Sequence, residues 1–328
     1  MDAFELPTVT HWLRGSYRPI LISHRRPDGD ALGSLIGMAI ALRRLDLDPQ
    51  VVLFDPFPKR YLLFADAVRW FQWEESRELL ERECDSVVIL DTCALSQLEP
   101  VAEFLQRAPR TLVIDHHATR DPIGTREGDL RFFDETASAT ALLVAEWAQS
   151  AGIALSGVLA NALFAGIATD TGWFRYSNTD ARTMNIASEL VAAGVSVNDL
   201  YQGIYEQEPL SKLKLAAHLL TTLELHANGK LACMYLRPED FARVGAEPWM
   251  TEDLVNEAGR LGGTEVTLLF TQDGDLVRVN LRSKGRLDVA ELARRYGGGG
   301  HARAAGVRIP GAWDAVVPRF IAETIEAL

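Results

Sequence analysis

Thr111-Leu-Val-Ile-Asp115-His116-His117 decides how the rest of this chain is read. Four β-branched or apolar residues in a row read as a short strand buried on both faces. The run ends by bringing one carboxylate and two imidazoles to a single point. Three other apolar runs share the design. Ile20-Leu-Ile-Ser23 leads into His24-Arg-Arg-Pro-Asp28-Gly-Asp30, Val87-Val-Ile-Leu90 into Asp91-Thr92, and residues 160–168 into Thr169-Asp170-Thr171-Gly172. His24, Asp28, Asp30, Asp91, His116 and Asp170 together form a nitrogen and oxygen donor set large enough for two divalent metals.

Between these runs lie helical patterns. Residues 30–45 carry apolar side chains at Leu32, Leu35, Ile36, Ala39 and Ile40, the spacing of a helix. Residues 51–54 read as a strand, and 134–150 and 178–193 as helices, the second closed by Gly194. Strands apolar on both faces and separated by helices predict a parallel sheet covered on both sides. In such sheets ligands bind beyond the carboxyl ends of the strands, where the acidic and histidine motifs fall. The fold class expected is therefore α/β, with a catalytic domain over residues 1–195. Residues 196–217 read as a helical linker with a hinge at Pro209, and 218–328 as a smaller α/β domain. There, strands 264–271 and 275–282 flank Asp273-Gly274, a hairpin signal, and 230–236 and 304–309 read as further strands. Helices are expected over 251–261, 288–296 and the stretch to Leu328.

Composition narrows the function. The length of 328 residues suits two domains with cores of their own, and 48% hydrophobic with 24% charged content is that of a globular protein. A formal charge of −12 argues against a grip on long duplex nucleic acid, which needs many neutralised phosphates. A small anion needs only a metal centre and a few placed cations. The opening residues have no basic and apolar leader pattern, and no apolar stretch approaches the roughly 20 residues of a membrane span. Cys84, Cys93 and Cys233 lack paired spacing, so reduced thiols in a cytoplasmic protein with no membrane partner are expected.

Each motif has a plainer explanation. The His24–Asp30 segment alone is a polar strand–helix turn with Asp30 as a cap, with Gly29 easing the turn. Asp91-Thr92 alone is an ordinary strand end. Asp170 among small residues and the acid followed by two histidines are stronger, and the plain reading of all four needs four coincidences at one sheet edge. Imidazole with carboxylate suits Mn2+, with Mg2+, Co2+ or Zn2+ as substitutes. A bridging carboxylate can hold two such ions about 3.5–4 Å apart. In the second domain, Arg282-Ser283-Lys284-Gly285 and Gly299-Gly300-His301-Ala302-Arg303 supply cations, a hydroxyl and open backbone N–H groups for an oxyanion. Arg294 and Arg295 read as solvated helix-end cations, Cys93 as core, and Trp173 and Phe174 as packing or as a stacking surface for a base.

These residues resemble the DHH phosphoesterase superfamily, whose triad stands here at Asp115-His116-His117. The second domain resembles the DHH-associated C-terminal domain through Leu281-Arg282-Ser283, Gly298-Gly-Gly-His301 and Ala304-Ala305-Gly306. Gly166-Ile-Ala-Thr-Asp170-Thr-Gly-Trp-Phe-Arg-Tyr176 is most similar to the bifunctional oligoribonuclease and pAp phosphatase group, the NrnA-type nanoRNases. The resemblance implies that His24, Asp28 and Asp91 hold one Mn2+ and that Asp30, Asp91, His116 and Asp170 hold another, with Asp91 bridging. It implies that His117 contacts the scissile phosphate and that Asp115 orients the histidines. Arg282, Ser283, Gly299, Gly300, His301 and Arg303 would bind the substrate's other phosphate or sugar across a cleft between the domains. Ala118-Thr119-Arg120-Asp121 departs from the pattern of many relatives, in which an Asn stands a few residues after the triad. The substrates implied are short single-stranded oligonucleotides, cut 3′–5′, and 3′-phosphoadenosine 5′-phosphate. Linear or cyclic dinucleotide messengers (pApA, cyclic di-AMP), a RecJ-like exonuclease and a binding module without activity are the alternatives, and a homodimer is left open.

Overall fold

The apolar runs of the first half are four or five residues long and buried from end to end, so they can only be inner strands of a covered sheet. The computed structural model describes residues 5–118 and 120–328, with all their side chains except those of Glu5 and His301. Residues 1–4, part of the leader expectation, and Thr119, within the departure after the triad, lie outside the described residues. The chain divides into two compact units, Met1–Gln207 and Glu208–Leu328.

The first unit runs α1 (Glu5–Arg14), β1 (Pro19–Ile22), α2 (Gly29–Arg43), β2 (Gln50–Leu53), β3 (Trp70–Gln72), α3 (Trp73–Glu83), β4 (Ser86–Leu90), α4 (Ala102–Arg107), β5 (Thr111–Asp115), β6 (Leu130–Phe133), α5 (Thr140–Ser150), α6 (Val158–Asp170), α7 (Ala181–Ala192) and α8 (Val197–Tyr205). Its six strands are all parallel, in the order β3-β2-β1-β4-β5-β6. Alternate side chains enter opposite layers, as the two-residue period requires. Leu21, Val88, Leu90, Leu112 and Ile114 join the core that includes α1, α2, α5 and α6, while Ile20, Ile22, Val87, Ile89 and Val113 pack on α3 and α4. The strand order reverses between β1 and β4, which opens a crevice beyond their carboxyl ends.

Several expectations change. Residues 160–168 form the middle of α6, not a strand. Thirteen residues rich in Ala is a helix length, and Gly and Ala let two helices meet closely. A Cβ on Gly33 of α2 would lie 2.5 Å from the Ala162 carbonyl, and one on Gly37 2.5 Å from Leu163 Cδ2. Gly29 serves the same approach rather than a tight turn, since a Cβ there would overlap the Thr169 hydroxyl at 2.2 Å. The 134–150 helix begins only at Thr140, the 178–193 helix only at Ala181 behind the Asp180 cap, and Gly194 closes the latter with φ +103°. Strands β3 and β6, Trp70–Gln72 and Leu130–Phe133, carry no long apolar run that would mark them in the sequence.

The second unit holds α9 (Leu210–Thr221), β7 (Glu224–His226), β8 (Leu231–Leu236), α10 (Pro238–Val244), β9 (Val266–Asp273), β10 (Leu276–Ser283), α11 (Val289–Arg294), β11 (Gly299–His301), β12 (Ala304–Pro310) and α12 (Trp313–Ala327). Its sheet order is β11-β12-β10-β9-β8-β7, antiparallel except for β8 beside β9. The hairpin turn at Asp273-Gly274 is present, with Gly274 at φ +61°. Residues 251–261 do not make the expected helix. Asp253 adopts φ +67°, and short 3-10 turns lay Leu254, Val255 and Ala258 on the sheet instead. The expected linker, 196–217, contains α8, the division between the units and the start of α9.

Candidate metal centre

Every strand that flanks the crevice ends in a polar side chain held by a bond of its own. After β1, His24 Nδ1 donates to the Arg25 carbonyl at 2.9 Å, which leaves Nε2 free to face Asp91 Oδ2 at 3.6 Å and Asp28 Oδ1 at 3.8 Å. Asp28 caps α2, its Oδ1 accepting from the Asp30 and Ala31 N–H groups at 3.0 and 3.1 Å. Asp28, not Asp30, is therefore the cap. After β4, Asp91 sits at φ +63°, a conformation costly for a residue with a side chain, while its N–H donates to the Ile114 carbonyl at 3.0 Å.

After β5, His116 Nδ1 donates to the Ala137 carbonyl at 3.1 Å. Its Nε2 is buried and has no hydrogen-bond partner. That atom faces Asp91 Oδ1 at 3.6 Å, Asp170 Oδ2 at 3.7 Å and Asp30 Oδ2 at 3.8 Å. These separations are too long for hydrogen bonds and suit donors that share one ion about 2 Å from each. Asp115 accepts from the His117 N–H at 3.1 Å and from its Nδ1 at 2.8 Å. Among the described residues the hydrogen bonds of its carboxylate go to His117, while His116 is held by the Ala137 carbonyl. Asp170 arrives from the C-terminal end of α6 rather than from a strand.

The donors gather as His24, Asp28 and Asp91 in one group and Asp30, His116 and Asp170 in another, with Asp91 also grouped with His116 and His117. Within each group the candidate ligand atoms lie within 4.8 Å of one another. Burial raises the Asp91 carboxyl well above its ordinary range, helped by the neighbouring Asp30. Burial and the Asp30 and Asp28 charges push Asp170 up to about 8. Burial alone would depress His24, but its contacts with Asp28 and Asp91 outweigh that and raise it to about 11. Crowded carboxylates around an imidazole nitrogen with no partner form a negative pocket that divalent cations fit.

In the second unit, Arg282, Ser283 and Arg303 share one sheet end. Arg282 Nε donates to Asn256 Oδ1 at 3.1 Å, Arg303 Nη1 to Ser283 Oγ at 3.5 Å, and the Ser283 N–H to the Arg303 carbonyl at 2.9 Å. Lys284 is spent on the Gly259 and Leu261 carbonyls at 2.6 and 2.8 Å. Gly299 and Gly300 belong to β11, an edge strand rather than a loose loop. Gly300 within β11 and Gly298 just before it are required, since a Cβ would lie 2.4 Å from the Ala304 carbonyl at Gly300 and 2.5 Å from the Gly306 carbonyl at Gly298. The His301 backbone pairs with Ala304, while its side chain lies outside the described part. Arg294 and Arg295 are exposed and Cys93 is buried. Trp173 and Phe174 adopt φ +58° and +62° and pack on Phe164, with Trp173 also against Tyr201 at 4.9 Å. The segment 134–141, read as helix, is the part of the site that the sequence did not reveal.

The first unit is a six-stranded parallel sheet with acid and histidine side chains at its carboxyl ends, and a smaller α/β unit follows it in the chain. Residues 19–167 match the DHH family, N-terminal domain, and residues 228–328 match the DHHA1 domain. The chain belongs to the DHH phosphoesterase superfamily, on the branch whose relatives are named bifunctional oligoribonuclease and PAP phosphatase NrnA. It is 32% identical over 308 residues to the protein of that name from Thermus thermophilus, covering 92% of this chain and 88% of the relative. Against that from Bacillus subtilis it is 30% identical over 304 residues, covering 90% of each. The crystal structure of an exopolyphosphatase-related protein from Bacteroides fragilis has the same fold, with TM-score 0.90 at 23% identity over 99% of this chain and 97% of the other. Among the described residues no helix is long and apolar enough to cross a membrane.

Proposed function

We propose that this phosphoesterase hydrolyses short single-stranded oligonucleotides 3′–5′ to mononucleotides, and 3′-phosphoadenosine 5′-phosphate to AMP, with Mn2+ as its working ion. The observation that carries this reading is the partnerless, buried Nε2 of His116 facing three carboxylates. The relatives' names supply the substrate class. His24, Asp28 and Asp91 would hold one ion, and Asp30, Asp91, His116 and Asp170 the other. Bound ions neutralise phosphate charge and make water a competent nucleophile near neutral pH. His117, oriented by Asp115, would contact the scissile phosphate. The unpaired thiols Cys84, Cys93 and Cys233 fit a reducing cytoplasm. Phosphate release from 3′-phosphoadenosine 5′-phosphate under Mn2+, run beside mononucleotide release from a ladder of RNA and DNA lengths, tests the proposal. Inertness toward both would refute it.

The expected preference is for strands of about two to five nucleotides, because a chain of charge −12 offers little surface for a long phosphate track. A single-strand track would weaken binding with salt by a slope of roughly 0.7 per contacted phosphate, and this protein should show a shallow slope. Faster degradation of long strands with a steep salt slope would favour the RecJ-like alternative.

Arg282, Ser283, Gly299, Gly300, His301 and Arg303 are proposed to hold the substrate's other phosphate or sugar and so to position the scissile bond. Arg282→Ala and His301→Ala should each cost about 1.5–3 kcal/mol, the value of a hydrogen bond to a charged group, or about ten- to a hundred-fold in kcat/KM. Metal content should stay complete, and bis-p-nitrophenyl phosphate, which lacks the second group, should be hydrolysed nearly as before. Equal loss on large and small esters, or loss of metal, would move these residues into the catalytic centre.

A further inference from the structure

We infer that Thr140 is a positioning residue for both candidate metal subsites, its N–H and its hydroxyl fixing the orientations of Asp30 and Asp91. The inference rests on the reading of the acid and histidine cluster as a metal centre.

Thr140 opens α5 and is fully buried. The residue before it, Ala139, has no side chain with which to cap the helix, so the first N–H groups of α5 need an outside acceptor. They find it in Asp30. The Thr140 N–H donates to Asp30 Oδ2 at 2.6 Å and the Ala141 N–H to Oδ1 at 2.8 Å. A carboxylate gripped at both oxygens by the positive end of a helix cannot rotate, and both bonds are charge-assisted.

The hydroxyl does a second job. Thr140 Oγ1 donates to Asp91 Oδ1 at 3.0 Å. Among the described residues it is the one side-chain donor within hydrogen-bond reach of that carboxylate. The imidazoles of His24, His116 and His117 stand 3.6–3.7 Å from the Asp91 carboxylate, beyond hydrogen-bond reach. The terminal torsion of an aspartate is broad and soft, so a single pinned oxygen decides where the other points. With Oδ1 held by Thr140 on the His116 side, Oδ2 faces His24. Each oxygen thus serves its own subsite, which is what a bridging ligand needs.

The segment that carries Thr140 is itself braced. The Asp134 N–H donates to the Asp115 carbonyl at 3.2 Å, and the Ala137 carbonyl accepts from His116. Asn178 Nδ2 donates to the Ser138 carbonyl at 3.1 Å and to the Asp170 carbonyl at 3.3 Å. Arg182 ties Asp134 at 2.7 Å to Glu146 of α5 at 2.6 Å. Residues 134–141 therefore meet Asp30, Asp91 and His116 directly and Asp170 through Asn178. Groups that orient metal ligands in this way typically affect metal affinity by about 10–100-fold.

Thr140→Val removes the hydroxyl and keeps the N–H, the branching and the volume. Thr140→Ser restores the donor. Mn2+ affinity and stoichiometry are read by electron paramagnetic resonance titration, with melting measured separately in chelator. The valine variant is expected to bind Mn2+ about 10–100-fold more weakly. It should melt like the wild type without metal and recover most of its kcat at saturating Mn2+. The serine variant should bind nearly as the wild type does. Thr140→Ala gives the same reading should the valine variant not fold. Wild-type Mn2+ affinity in the valine or alanine variant, or a serine variant as weak as either, overturns the inference. Asp91→Asn in the same titration separates the two levels. If it too binds Mn2+ normally, the metal centre itself is misread. If it alone loses the ions, only the role of Thr140 falls.

Discussion

Asp91→Asn is expected to lower turnover on every substrate by about a thousandfold or more and to empty at least one metal subsite. Losing one oriented group from a preorganised site costs roughly 10²–10³-fold, and Asp91 stands in both donor groups at once. Asparagine tolerates the left-handed backbone at this position about as well as aspartate does, so the φ of +63° adds little to the effect. The amide also retains an oxygen for the Thr140 hydroxyl. What is lost is a charge and one ligand oxygen at the point shared by His24 and His116. Steady-state rates, with metal content measured on the same samples, give the answer. Near-normal turnover with two ions bound would show that Asp91 does not bridge.

Exhaustive chelation is expected to take hydrolysis to background, with Mn2+ the most effective ion on restoration and Mg2+ or Co2+ weaker. A bound divalent ion lowers the pKa of its water well below 15.7, to about 7 in the zinc case, and also neutralises phosphate charge. The apoprotein should stay folded, because the strands that carry the ligands are fixed by the two hydrophobic layers rather than by the site. Circular dichroism in chelator checks that the loss is chemical. Undiminished turnover after dialysis against chelator would remove the two-metal reading.

The legible part of the site was the part written locally. A strand buried on both faces must be an unbroken apolar run, and where it leaves the sheet the chain must turn polar. His24, Asp91 and Asp115 to His117 could therefore be found by looking just past each run. Asp170 also stands just past an apolar run, but that run is a helix. Residues 160–168, rich in Ala with Leu, Phe, Gly and Ile, are apolar enough for either structure, and the thirteen-residue length of the whole element, Val158–Asp170, is that of a helix. The aromatic pair beside it follows from the same helix end, where Trp173 turns back onto Phe164.

The sequence by itself determined the parallel sheet, the hairpin unit that follows it, and the identities of the acids and imidazoles at the crevice. Each of those follows from side chains within a few residues of one another. Only the tertiary structure decided which oxygen faces which nitrogen. That depends on α2 and α6 closing onto each other through Gly29, Gly33 and Gly37, and on bonds such as those of Thr140 to Asp30 and Asp91, which join residues 110 and 49 positions apart. The periodicity of a single segment carries no information about a partner so distant in the chain. The helix start at Thr140 was invisible for that reason, because what ends the loop and begins the helix there is a carboxylate supplied by another element.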